Sequence, residues 1–266
     1  MPDDPTPPSA SPPATALRPT TRLIIDPRYA GPPGSGNGGY VCGRLAAFLP
    51  ETPVVEVTLR QPPPLQTPLD VTASGGGVAL TFGGALMAEA APGALTGEVV
   101  DPVDADTAAA AMGRYAGLVL HPFPGCFACG VDRPAPDGLG LRPGRLTDRP
   151  DSVATVWRPD ASLASPDSTS GGASDARRTV RPEMVWAALD CPGGWSADLV
   201  GRPMLLGRMA AAVDALPQAG EQYVVVGRAL AVEGRKTFTA STMYDGDGRV
   251  VGRAEATWIA IRTDRA

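Results

Sequence analysis

The chain has 266 residues, 43% of them hydrophobic, with a formal net charge of −5 and a pI near 5.0. That length supports a sizeable core, and the acidic balance argues against nucleic acid as a partner, because phosphate recognition needs clustered positive charge. No long apolar run and no basic-then-apolar start is present, so neither a membrane span nor a signal peptide is predicted and a cytoplasmic location is expected.

Residues 1–20 are dominated by Pro, Ser, Thr and Ala. They offer almost nothing to bury and are expected to form a disordered tail. A short apolar strand at Leu23–Ile25 leads into a turn-rich stretch from Asp26 to Gly36, then an apolar helical run from Gly39 to Leu49 that Pro50 closes. Strands follow at Val54–Arg60, Leu69–Thr72, Val78–Phe82 and Ala85–Ala90, separated by Pro or Gly clusters. An alanine-rich helix at Asp106–Tyr115 and the Pro/Gly/Cys segment His121–Asp137 set a boundary near residue 120, giving halves 21–120 and 121–266.

The second half repeats the pattern with a strand at Ser152–Trp157, a Ser/Asp/Gly loop from Pro159 to Ser174 and a helix from Pro182 through Asp190. Proline suits the first helical position, whereas Cys191-Pro192-Gly193-Gly194 is expected to break or kink the helix. Strands at Met204–Val213, Tyr223–Val232, Thr237–Tyr244 and Val250–Ile261 complete it, the last two joined by a hairpin turn at Asp245–Gly248. The fold class is α+β, with one helix across a curved antiparallel sheet, written twice.

Three segments carry residues suited to chemistry. Gly34-Ser35-Gly36-Asn37-Gly38-Gly39 stands before the first helix, where free N–H groups polarise a carbonyl oxygen. The alternative is a flexible loop with Asn37 as N-cap; a phosphate loop is disfavoured because no Gly-Lys-Ser/Thr follows. Asp190 lies four residues after Trp186 and so on its helical face, where the indole would help desolvate a carboxylate and raise its pKa. The plainer alternative is a C-terminal Asp holding a turn.

The third segment, His121 to Gly130, contains Cys126-x-x-Cys129 and the sole histidine, three potential zinc ligands with no fourth in the segment. No metal site and no cofactor are expected, and all four cysteines, including Cys42 and Cys191, are expected as free thiols. Redox exchange is weaker still, as no evident pKa-lowering cation stands beside the pair. A Ser-His-Asp triad is disfavoured because no Gly-x-Ser-x-Gly elbow occurs.

Over residues 22–262, and best in the second half, the chain resembles the hotdog-fold acyl-CoA thioesterase superfamily, as a tandem, double-hotdog member in which each helix is wrapped by its sheet. In that family a His-Gly-Gly turn polarises the thioester carbonyl; Asn37-Gly38-Gly39 occupies that place, with Asn replacing His. The family's catalytic Asp or Glu lies nine residues beyond that His. Nine residues before Asp190 stands Arg181, and nine beyond Asn37 stands Ala46, so the second half keeps the acid and the first keeps the donors. Cys126-Phe127-Ala128-Cys129-Gly130 and Asp137-Gly138-Leu139 look like the start of a hotdog unit in some members.

Family sites form between two units. The resemblance therefore implies one composite site of Gly38, Gly39 and Asp190, and one dead pseudo-site of Ala46 with Pro182, which has no N–H to donate. Asn37 and Trp186 are expected to bind substrate, and Arg235-Lys236, an adjacent basic pair at the turn before the Thr237 strand, to meet the coenzyme A phosphates, the alternative being a solvated hairpin tip. The implied function is hydrolysis of an acyl-CoA or related thioester, with no nucleic-acid or membrane partner; the alternative is a non-catalytic binder of acyl-CoA or another apolar ligand. Homo-oligomerisation stays open. Hotdog hydratases pair Asp with a His five residues later, and Ala116 stands five before His121, so dehydration is disfavoured.

Overall fold

A computed structural model of the chain describes residues 21–97, 99–133, 136–170 and 177–261, so the expected tail at 1–20 lies outside the described residues. The first half comprises β1 (Thr21–Leu23), α1 (Gly38–Ala46), β2 (Val55–Leu59), β3 (Leu69–Ser74), β4 (Gly77–Phe82) and β5 (Ala85–Pro92). Between the halves lie α2 (Ala105–Met112) and the short β6 (Gly144–Arg145). The second half comprises β7 (Ser152–Trp157), β8 (Ala164–Ser170), β9 (Arg177–Val180), α3 (Pro182–Ser196), β10 (Met204–Val213), β11 (Tyr223–Glu233), β12 (Lys236–Tyr244) and β13 (Val250–Ala260).

Eleven strands join one antiparallel sheet in the order β1-β3-β4-β5-β2-β10-β13-β12-β11-β7-β6. Within it β1, β2, β3, β4 and β5 correspond to β7, β10, β11, β12 and β13. Each set holds the same internal order, the second running in reverse, so the two halves meet through their equivalent strands β2 and β10. At that seam Val57 pairs with Met209, both fully buried, while on the opposite face Arg208 lies 3.4 Å from Glu56. The seam thus has an apolar inner face and a charged outer one, as cross-strand pairing favours.

Both α1 and α3 pack on the inner face and on each other. Two glycines of α1 allow close approach. A Cβ on Gly39 would stand 2.5 Å from Asp190 Cβ and 2.6 Å from the Trp186 carbonyl oxygen, and one on Gly43 would stand 2.6 Å from Glu183 Cα. As α1 advances from 39 to 43, its neighbours on α3 run back from 190 to 183, so the helices are antiparallel. The outer face of the second-half sheet is covered by α2, whose Ala108 and Ala111 pack with Ala154, Val224 and Ala240.

Three expectations are corrected. The first strand sits at Thr21–Leu23, and Ile25 beyond it is fully buried. The segment 159–174 is not simply a loop: β8 pairs with β9 as a small separate sheet, while 171–174 lie outside the described residues. Most consequentially, α3 continues through Cys191-Pro192-Gly193-Gly194 to Ser196. Pro192 removes the donor to the Ala188 carbonyl, but the helix is held from the sheet side, where the Ser241 hydroxyl donates to the neighbouring Leu189 carbonyl at 2.5 Å. The two glycines lie where side chains would collide with Thr239 and with the Trp258 ring. Tertiary packing overrides the local breaker signal.

No helix among the described residues is long and apolar enough to cross a membrane. The Asp245–Gly248 turn forms as expected, with Asp245 Oδ1 accepting from the N–H groups of Asp247 and Arg249, each at 2.9 Å.

Candidate active site at the helix interface

Asn37 caps α1: its Oδ1 accepts from Tyr40 N–H at 2.9 Å, which leaves the amide nitrogen facing the second half. Asn37 Nδ2 donates to Asp190 Oδ2 at 3.3 Å, and Gly39 N–H donates to the same oxygen at 2.9 Å. A carboxylate from α3 is thereby seated on the positive end of α1, where helix N–H groups lack partners of their own. The other oxygen, Asp190 Oδ1, makes no hydrogen bond to any described group although it is buried.

Asp190 is only 3% exposed. Its pKa is raised to about 7, chiefly by burial and also by the Cys126 sulfur, against the lowering hydrogen bonds from Gly39 and Asn37. A carboxyl group near neutrality with one free oxygen suits general-base work. The alternative of a C-terminal Asp holding a turn is overturned, because Asp190 lies inside α3, with the last turn beyond it.

The carboxyl group borders a cavity of about 250 Å³ lined by residues of both halves, among them Gly38, Leu59, Leu206 and Trp258. A register irregularity in β10 between Leu206 and Arg208 lies at its wall, where bulges commonly re-aim side chains. Gly38 also lines the cavity, and as first residue of α1 its N–H has no intrahelical acceptor. Asn37→Ala should lower stability by about 1 kcal/mol through loss of the cap, read as a shifted denaturant midpoint at unchanged slope.

The structure brings Asn37, Gly38, Gly39 and Asp190 together. The remaining candidates do not line the cavity. Trp186 is 3% exposed but is absent from the cavity wall; its Cβ and carbonyl oxygen face Gly43 and Gly39 of α1, so it packs the helix pair instead of contacting a ligand in the cavity. Arg235 and Lys236 are exposed at the β11–β12 turn, and Lys236 pairs with Ile259, a cavity-lining residue. Neither residue lines the cavity, and the Arg235 guanidinium donates to the Ala260 carbonyl at 2.8 Å. Gly39 N–H, expected to face a substrate carbonyl, is engaged by Asp190.

At the opposite, pseudo-equivalent end, Arg181 donates to the Tyr29 hydroxyl at 2.7 Å and lies 3.7 Å from Glu183. Ala46 is partly buried against the core, so no carboxylate stands at that position.

Sequence reasoning did not join Cys191 to the site. Cys126, Cys129 and Cys191 have their sulfurs within 4.8 Å of one another and line the cavity with His121. Asn37 Nδ2 also approaches Cys126 Sγ at 3.7 Å, linking the cluster to Asp190. The S–H groups of Cys129 and Cys191 and the N–H groups of Cys129 and Ala128 hold Cys126 well below the usual thiol range. Burial pushes Cys129 up, and hydrogen bonding to Cys126 pushes Cys191 up.

No protein-family model and no curated protein sequence matches the chain. Solved structures do. A candidate thioesterase from Novosphingobium aromaticivorans is 14% identical over 91% of this chain and 95% of its own, with a TM-score of 0.58. A hot dog fold protein of unknown function from Alicyclobacillus acidocaldarius is 10% identical over 91% and 92%, TM-score 0.57. The acyl-CoA thioesterase II TesB2 from Mycobacterium marinum is 12% identical over 91% and 93%, TM-score 0.53. Across about nine-tenths of its length, the chain has the hotdog fold.

Proposed function

We propose that the chain is a double hotdog that hydrolyses an acyl thioester, with acyl-CoA the leading substrate class, at one composite site between its halves. The observation that carries this reading is the seating of Asp190: one oxygen is fixed by Gly39 N–H and Asn37 Nδ2, and the other is free beside an apolar cavity. An acyl chain is accommodated by the apolar walls, and the thioester carbonyl is directed at the N–H of Gly38. Asp190 Oδ1 then either attacks the carbonyl carbon, expelling the thiolate and leaving an acyl anhydride that water hydrolyses to release the acid and free the carboxylate, or takes a proton from water as that water attacks, the C–S bond breaking and the proton leaving with the thiol. Both routes need a carboxylate oxygen within about 3 Å of the reacting group. Gly39, first read as a second carbonyl donor, acts here by positioning the carboxylate.

The chemistry is tested by thiol release from short, long and aromatic acyl-CoA thioesters. Retained acyl-CoA binding with no turnover across that panel would instead establish a binding protein.

Arg235 and Lys236, exposed at the β11–β12 turn beside the cavity-lining Ile259, are proposed to meet the nucleotide phosphates of coenzyme A. Exposed charges contribute roughly 0.2–1 kcal/mol each, so R235A/K236A should raise KM for acyl-CoA by about fivefold and leave kcat in place. The matching acyl-pantetheine, which lacks those phosphates, should show an unchanged KM. An equal rise for both substrates would remove the pair from phosphate recognition.

A further inference from the structure

We propose that Cys126, Cys129 and Cys191 form a three-thiolate site for a soft divalent cation of the zinc class, with its fourth coordination position open to the cavity. This inference does not depend on the thioesterase reading. It departs from the sequence-level expectation, in which Cys126, Cys129 and His121 lacked a fourth ligand and no metal site was expected; the fold supplies Cys191 from α3, 65 residues beyond Cys126.

The geometry fits such an ion. The Cys126 and Cys191 sulfurs are 3.9 Å apart, and all three lie within 4.8 Å of one another. Zinc–sulfur bonds of about 2.3 Å in a tetrahedron place sulfurs about 3.8 Å apart. Small inward shifts therefore close the site. The turn carrying the first two ligands is folded back by Gly130 N–H donating to the Cys126 carbonyl at 2.8 Å. A side chain at Gly130 would collide with the Pro124 and Cys126 backbone.

Hydrogen-bond donors reach two of the three sulfurs. The three cysteines are buried, at 4–5% exposure, where negative sulfurs need compensation. Trp195 Nε1–H donates to Cys129 Sγ at 3.4 Å, and Asn37 Nδ2 reaches Cys126 Sγ at 3.7 Å. Donors of this kind commonly orient and tune metal ligands. A disulfide uses only two sulfurs, so it leaves the convergence of the third unexplained.

His121 is the neighbour nearest to a fourth ligand, with Nε2 3.5 Å from Cys129 Sγ. Its Nδ1, however, accepts from Phe123 N–H at 2.9 Å. In a neutral ring that places the proton on Nε2, which lies 3.2 Å from the Cys129 carbonyl oxygen. As oriented, the ring has no lone pair to offer the cluster. The fourth position is thus left for a donor from the cavity.

The test uses the full chain purified under reducing conditions without chelator. Elemental analysis should find about one zinc per chain, and cobalt(II) added to chelator-treated protein should give thiolate-to-metal charge-transfer absorption with the tetrahedral d–d bands of a thiolate-rich site. C126S and C191S should each weaken cobalt binding at least about tenfold. C42S, whose sulfur lies outside the cluster, should retain it. H121A should retain the stoichiometry; loss of metal in a folded H121A protein would overturn the open fourth position. The site itself is overturned if folded wild-type protein binds neither zinc nor cobalt, with all four thiols free by counting in denaturant or a Cys126–Cys191 disulfide by mass spectrometry. The wild-type measurement stands even if a cysteine variant fails to fold.

Discussion

Asp190→Asn should slow thiol release from acyl-CoA by at least about a hundredfold, the lower end of what a positioned proton-transfer group contributes. The substitution changes little else. Asparagine has nearly the same shape, and its amide oxygen can still accept from Gly39 N–H and Asn37 Nδ2, which hold the carboxylate at 2.9 and 3.3 Å. What disappears is the free, ionisable oxygen beside the cavity. The loss should therefore fall on kcat, with KM changed far less, since an interaction used only in the transition state lowers the chemical step. Circular dichroism and thermal unfolding verify that the variant is folded, and rapid-mixing assays separate chemistry from product release. A folded D190N protein with wild-type kcat would sink the composite site, whatever Asp190 contributes to packing.

Much of the architecture was open to sequence reasoning because strands leave a two-residue signature and turns demand particular residues. Ser152–Trp157 and Met204–Val213 form strands with the expected bounds. The helix around Asp190 was misjudged at its end because proline and glycine reveal local backbone cost, while the neighbours that outweigh it, Ser241, Thr239 and Trp258, come from strands far along the chain. Trp186 illustrates the complementary limit. Four-residue spacing puts it on the same helical face as Asp190, but spacing cannot show that α1 fills the space in front of its Cβ. Cys191 was likewise invisible as a partner of Cys126, because their proximity exists only after α3 packs against the segment between the halves. Asp190 itself was singled out by its nine-residue spacing in a resembling family; its contact with the opposite half is a tertiary fact.

That contact depends on the absence of a side chain at Gly39, which leads to the second large effect. Gly39→Ala places a methyl 2.5 Å from Asp190 Cβ and 2.6 Å from the Trp186 carbonyl oxygen, and helix backbone cannot yield as a flexible side-chain tip would. Overpacking of this kind costs about 1–3 kcal/mol, offset by up to about 1 kcal/mol from the better helix propensity of alanine. Gly43→Ala supplies the comparison: its methyl would stand 2.6 Å from Glu183 Cα, one helical turn away on the same seam. Both variants should unfold at lower temperature. Only G39A pushes directly on Asp190, and displacement of a catalytic group by about 1 Å can cost a hundredfold in rate. In the folded fraction, kcat for thiol release should accordingly fall at least about tenfold in G39A and stay near wild type in G43A. Equal losses of stability with equal, unchanged kcat would mean that close approach at Gly39 serves helix packing alone and leaves the Asp190 carboxylate where it was.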